Sequence, residues 1–164
     1  MWRKGSVPVI WDDNYKNFPY TNQPISDEEI KVWKKQGWYH NTYSGDMYDS
    51  KNPMPTYVDR IADAISLTKC GYVFYKMQTL VIMPPHVDHY TKYTDYFKVQ
   101  YEDVYRAIIF LEDWKPGHYF EIDNKGIVNW CAGDYILWEP GVPHAASNIG
   151  KDDRYTLQIT GINA

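Results

Sequence analysis

Three side chains of this sequence could hold a metal ion between them. His86 and Asp88 stand in Pro84-Pro85-His86-Val87-Asp88-His89-Tyr90, and His144 stands far along the chain in Gly141-Val142-Pro143-His144-Ala145-Ala146-Ser147-Asn148. In extended chain, residues two apart project to the same side, so His86 and Asp88 can present an imidazole nitrogen and a carboxylate oxygen to one point. A His-x-Asp pair by itself is common and carries little weight. His144 adds to it because four strand-like segments lie between the two clusters, and a β-sandwich can return the chain to the same cavity over that separation. Two imidazoles and one carboxylate on one face of an iron(II) ion leave three coordination positions open for an oxidant and a co-substrate.

A fourth residue suggests what the co-substrate is. Arg154 opens the last strand-like segment, ten residues after His144, and a planar guanidinium can clamp a carboxylate through two parallel hydrogen bonds where lysine could not. The expected guest is a dicarboxylate. Thr156, two residues on, could add a hydroxyl donor from the same strand face. The competing reading of Arg154 is a surface ion pair with Asp152 or Asp153, which would contribute little to stability. Zinc fits the ligand types too, but a nearby site for an acidic co-substrate favours iron. His89 points away from the face shared by His86 and Asp88, His118 reads as a structural strand histidine, and His40 belongs to no motif. Cys131 lacks the orienting partner a nucleophilic thiol needs, and neither a glycine-rich phosphate loop nor a Gly-x-Ser-x-Gly elbow occurs.

The elements that must position these groups are legible in outline. Residues 1–25, with Pro8, Pro19 and Pro24, show no sustained period and read as an irregular arm. Ser26-Asp27-Glu28-Glu29 is a capping box that opens a helix with Ile30 and Trp33 on its apolar stripe, and Gly37 is placed to end it. Val58, Ile61, Ala62 and Ile65 predict a second helix from Thr56 to Leu67. From Gly71 the chain changes to short β-rich segments. Expected strands are Tyr72 to Met83, Tyr105 to Leu111, His118 to Ile122, Ile127 to Trp130, Asp134 to Glu139 and Tyr155 to Ile162, with a turn at Asp123-Asn124-Lys125-Gly126. The expectation is one domain of mainly β class with supporting helices (α+β): residues 1–71 an arm plus two helices, residues 72–164 a β-sandwich.

Composition narrows the partners. The 164 residues carry 17 Lys+Arg against 21 Asp+Glu, and the cations are scattered, which argues against a nucleic acid partner. No apolar run approaches the length of a membrane span, and Met1-Trp2-Arg3-Lys4-Gly5 lacks the apolar stretch of a signal peptide, so a cytoplasmic location is expected. Cys70 and Cys131 have no paired spacing and are expected to be reduced. The 16 Tyr, 7 Trp and 5 Phe could fill a sandwich interior or line a substrate cleft, and the interior is the weightier reading because these rings favour strands whatever the function.

Taken together, His86-x-Asp88, the distal His144 and Arg154-x-Thr156 ten residues later give the region from Tyr72 to Gly161 a resemblance to the iron(II)/2-oxoglutarate-dependent dioxygenases. The run Arg106 to Leu111, Trp130, Gly133-Asp134 and His144-x-x-x-Asn148 looks most like the aspartyl/asparaginyl β-hydroxylase branch. Some members of that branch lack the carboxylate ligand, whereas Asp88 is present here. The resemblance covers a little over half the chain, and residues 1–71 match no motif. It implies a double-stranded β-helix (jelly roll, cupin-like) with iron near its open end, held by His86, Asp88 and His144. It further implies 2-oxoglutarate paired with Arg154, Arg106 as a second carboxylate contact, and O2 as oxidant. The outcome would be hydroxylation of a small molecule or peptide side chain, with succinate and CO2 as co-products. Two alternatives stay open: a cupin-like metalloenzyme that does not use 2-oxoglutarate, and a non-enzymatic jelly-roll module that binds through surface aromatics.

Overall fold

The computed structural model describes residues 1–39 and 43–164; His40 lies outside the described residues. The elements are β1 (Trp2–Ser6), a 3-10 turn (Asp13–Asn17), β2 (Thr21–Asn22), α1 (Asp27–Lys35), β3 (Asp46–Asp49), α2 (Tyr57–Ala64), β4 (Leu67–Met77), β5 (Val81–His86), α3 (Thr91–Phe97), β6 (Val104–Phe110), β7 (His118–Ile122), β8 (Lys125–Ile127), β9 (Asp134–Trp138), β10 (His144–Asn148) and β11 (Arg154–Asn163). They form a seven-stranded sheet in the order β1-β9-β6-β11-β4-β3-β2 and a four-stranded sheet in the order β5-β10-β7-β8. From β4 onward the chain deals strands to the two sheets in turn, with only the tight β7–β8 hairpin staying in one.

This arrangement explains the apolar runs. The larger sheet is buried on both faces, so its central strands do not alternate apolar with polar. One face sends Tyr75, Met77, Ile108, Phe110, Ile136 and Trp138 toward Phe120, Ile122 and Ala146 of the smaller sheet. The other sends Tyr48, Phe74, Ala107, Ile109, Leu137, Leu157 and Ile159 against Val58, Ile61, Ala62 and Ile65 of the α2 region and against Val7 and Tyr15. Ile109 and Leu157 are opposite each other in register and wholly buried. Many of the aromatic rings lie in these two layers, which bears out the interior reading for them.

Several boundaries depart from the sequence expectation. Tyr72 to Met83 is not one strand: β4 starts at Leu67, and the chain turns at residues 78–80, with Leu80 at φ 66°, to cross into the other sheet as β5. The second helix ends at Ala64, because Ser66 takes a left-handed φ of 61° and Leu67 already belongs to β4. Ile127 to Trp130 is not a strand either. Asp123 and Asn124 both adopt positive φ (50° and 60°), so Ile122 pairs with Lys125 across a two-residue turn and β8 is spent by Ile127. The arm is more regular than expected, since β1 pairs with β9 from Trp2↔Trp138 to Ser6↔Asp134. Helix α3 has no buried residue and hence no apolar stripe to announce it. The capping box on α1 is present as read, and Gly37 sits at φ 95°.

Candidate functional site

The cavity between the two sheets opens beside the ends of β5 and β10. Because these strands are antiparallel neighbours, His86 and His144 become direct cross-strand partners. A regular strand would place Met83 and His86, three residues apart, on opposite faces. The ladder slips here: His144 faces His86 while Ala146 faces Met83, leaving an extra residue on β5 at Pro84-Pro85. Prolines donate no ladder hydrogen bond and suit such a bulge on an edge strand. The bulge turns both Met83 and His86 into the same cavity, and Asp88 follows two residues later.

His86, Asp88 and His144 each offer a ligand atom within 4.8 Å of the other two. The imidazole rings lie 4.3 Å apart between centroids. His86 Nε2 is 3.9 Å from Asp88 Oδ1, and His144 Nε2 is 3.6 Å from Asp88 Oδ2. On the far side of each ring, Nδ1 meets a backbone carbonyl, Pro84 O at 2.8 Å and Val142 O at 3.1 Å. A carbonyl only accepts, so Nδ1 carries the proton and donates, and both Nε2 lone pairs face the acid. Ligating histidines are commonly oriented in this way.

The protonation states suit a metal. Burial pushes the His144 imidazole down to about 4, with Asp88 opposing and His86 reinforcing the shift. Burial alone would raise the Asp88 carboxyl, but the Arg106 guanidinium, then His144 and His86, outweigh it and hold the group below the usual carboxylate range. A neutral His144 imidazole and a carboxylate, with the His86 imidazole beside them, are the donor set that imidazole- and oxygen-seeking divalent metals such as iron(II) take. The same shift implies acid sensitivity. The folded-state value of His144 lies below its ordinary 6.5, so the unfolded chain binds the extra proton. Stability of the metal-free protein is therefore complete above about pH 6.5 and is lost as pH falls toward 4, by an amount on the order of a few kcal/mol. Urea titrations of metal-free protein at pH 7 and pH 5 should show this loss, and His144→Gln should blunt it.

Deeper in the cavity lies Arg154, the first residue of β11 and only 4% exposed. It is not at the surface with Asp152 or Asp153: Asp153 pairs with Lys76 at 3.2 Å, while the Asp152 carbonyl accepts from Asn148. Arg154 donates to the Tyr119 carbonyl at 2.7 Å, and its Nε has no partner. Among the described residues no carboxylate lies within ion-pair distance of it. Burial without a counter-charge pulls the guanidinium down to about 10. A buried cation normally has an anion, so a cavity holding this one is suited to receive one from outside.

The other expected positions divide. Arg106 lines the cavity, but its Nε is 3.7 Å from Asp88 Oδ2 and its Nη1 donates to Gln158 Oε1 at 2.8 Å. Its partner in this structure is thus the acid of the triad. Thr156 is buried opposite Tyr75 with an unpartnered Oγ1, and it is not among the residues lining the cavity. His89 is exposed and borders an outer groove, and His118 is buried with Nε2 2.9 Å from the Asp152 carbonyl, a structural contact. Sequence reading missed Tyr90, Gln158, Trp138 and Gln23. Gln158 was within reach, since it lies four residues along β11 from Arg154 on the same face. Gln23 comes from the motif-free arm and gave no signal.

Met77, Met83, Ile108, Phe120 and Trp138 supply apolar patches of the cavity wall beside its polar residues. Outside, the cavity widens into a groove between Trp33 and Glu29 of α1 and the His89-to-Tyr93 segment. Trp33 packs edge-on to the His86 ring at 6.2 Å.

No family model and no curated protein sequence matches the chain. Solved structures do. A prolyl-4-hydroxylase from Pseudomonas putida superposes with a TM-score of 0.59 at 13% identity, covering 99% of this chain and 92% of that one. A predicted oxalate decarboxylase from Thermotoga maritima (TM-score 0.46, 14% identity, 88% and 94% covered) and a Cupin 2 conserved barrel domain protein from Salinispora arenicola (0.45, 12%, 85% and 86%) also match. The two facing sheets, with strands dealt to them in turn, make the fold a double-stranded β-helix. At these identities the likeness concerns the fold alone. Among the described residues, no helix is long and apolar enough to cross a membrane.

Proposed function

We propose that this protein is an iron(II)/2-oxoglutarate-dependent oxygenase. The observation that carries the reading is the placement of Arg154: a buried guanidinium with no acidic partner among the described residues, in the same cavity as His86, Asp88 and His144. His86 and His144 would hold iron through Nε2 and Asp88 through a carboxylate oxygen. Arg154 would pair with the carboxylate of 2-oxoglutarate remote from the metal, supplying the missing counter-charge. When bound, iron(II) and 2-oxoglutarate supply the capacity to activate O2 and oxidise an unactivated C–H bond, with succinate and CO2 as co-products.

The chain's own residues prepare the site. The Pro84 and Val142 carbonyls keep the Nδ1 protons and fix both rings. Asn148, fully buried, donates to the Met77 and Asp152 carbonyls and accepts from the Gly150 amide, tying down the turn that delivers Arg154. The groove outside, framed by Trp33, His89 and Tyr93, is where a small molecule or peptide side chain would approach. The residues behind the finer resemblance to aspartyl/asparaginyl β-hydroxylases are largely scaffold. Phe110 and Trp130 stack at 4.0 Å in the core, and Asn148 braces a loop, so they support the fold more than a particular substrate.

The test is anaerobic addition of iron(II) and then 2-oxoglutarate to metal-free protein, followed by admission of air. A weak visible charge-transfer band and subsequent succinate formation are expected. Metal uptake with no spectral response to 2-oxoglutarate would point instead to a metalloenzyme of another type on this fold, and no metal uptake would leave a binding module.

A further inference from the structure

We propose that Tyr90 and Arg106 are positioning residues that occupy Oδ2 of Asp88 and thereby present the carboxylate to a metal through Oδ1 alone. The inference rests on His86, Asp88 and His144 being a metal site. Asp88 lies in a loop beyond the end of β5, so no ladder hydrogen bond orients it, and a free carboxylate there could turn about its own axis or chelate through both oxygens. Two groups hold it. The Tyr90 hydroxyl donates to Oδ2 at 3.1 Å, and Arg106 Nε approaches the same oxygen at 3.7 Å. Oδ1 has neither contact and lies 3.9 Å from His86 Nε2, while Oδ2, besides its two holders, is 3.6 Å from His144 Nε2.

The two holders also hold each other. The guanidinium of Arg106 sits 5.3 Å from the centre of the Tyr90 ring, a cation–π distance, and its Nη1 is anchored on Gln158. Tyr90 is buried and takes φ 55°, ψ 14°, a left-handed conformation that costs a bulky residue about 1 kcal/mol or more. The neighbouring backbone is secured as well, since the Tyr101 hydroxyl donates to the Asp88 carbonyl at 3.2 Å. A strained, buried tyrosine whose hydroxyl reaches a ligand carboxylate is over-determined for packing alone. One-oxygen binding by Asp88, with the two imidazoles, leaves three of six positions free around an octahedral ion. Chelation through both oxygens would remove one of them.

Cobalt(II) binding to metal-free protein, read by visible absorption, tests this without turnover. Tyr90→Phe keeps the ring over Arg106 and removes only the hydroxyl. It should weaken cobalt(II) about tenfold, the scale for partners of metal ligands. It should also weaken the visible bands as the second oxygen enters and the coordination number rises. Arg106→Lys should act in the same direction, and the double variant should lose less than both single effects combined, because both act on one oxygen. Circular dichroism of the metal-free variants checks folding, and Arg106→Lys carries the test should Tyr90→Phe not fold. If wild-type protein binds cobalt(II) and both variants match its affinity within about twofold with superimposable spectra, the positioning role is overturned while the metal site stands. If wild-type protein binds no cobalt(II), the site reading falls and this inference with it.

Discussion

Arg154→Met is expected to weaken 2-oxoglutarate by about 100- to 4,000-fold while making the ligand-free protein more stable. Both effects have one cause. Arg154 is buried, lacks an acidic neighbour among the described residues and leaves Nε unsatisfied, so in the ligand-free fold it is a desolvated charge without a counter-ion. Removing one member of a buried carboxylate–guanidinium pair costs about 3–5 kcal/mol, which at 1.4 kcal/mol per decade gives the stated loss of affinity. In the absence of the guest, a methionine of similar reach ends the desolvation cost, and the gain should be on the order of 1–3 kcal/mol after loss of the hydrogen bond to the Tyr119 carbonyl. Calorimetric titration of the iron-loaded protein with 2-oxoglutarate under nitrogen measures the first, and urea unfolding of metal-free protein measures the second. Binding within a few-fold of wild type would remove Arg154 from the site. A destabilised variant would recast it as a structural residue.

His144→Ala carries the other large effect. The residue faces His86 directly across the β5–β10 pair and is the most buried of the three candidate ligands. Its removal takes away one of three donors and leaves a void beside Trp138, whose ring lies 4.8 Å from the imidazole. Metal affinity should fall by more than the roughly 10- to 100-fold that loss of a ligand's hydrogen-bond partner produces, and iron-dependent succinate formation should drop to background. Elemental analysis after dialysis gives the metal content directly. Retention of tight metal by this variant would mean that the three side chains are a buried polar cluster and not a metal centre.

Much of this was open to reading before any coordinates. Ser26 with Glu29 specified the start of α1, because each satisfies an amide the other's turn leaves free. The period of Val58, Ile61 and Ala62 placed α2. The strands β6, β7, β9 and β11 came out near their true limits because local apolar content reports burial whatever the partner. The ligand candidates were also local signals: residue types that bind metals, placed at strand ends.

What the sequence by itself determined is therefore an inventory: a mainly β chain with helical support, two imidazoles and an acid that could hold a metal, and an arginine able to receive a carboxylate. Only the tertiary structure decided how these meet. The pairing of β5 with β10 brought His86 to His144, and the bulge at Pro84-Pro85 turned His86 to the inside. The left-handed Tyr90 reached back to Asp88, and Arg106 came within 3.7 Å of that acid. The physical reason is that periodicity reports which residues of a segment share a face. Sheet register, bulges and the desolvation of a charge depend on which other segments arrive there, and no local pattern records that.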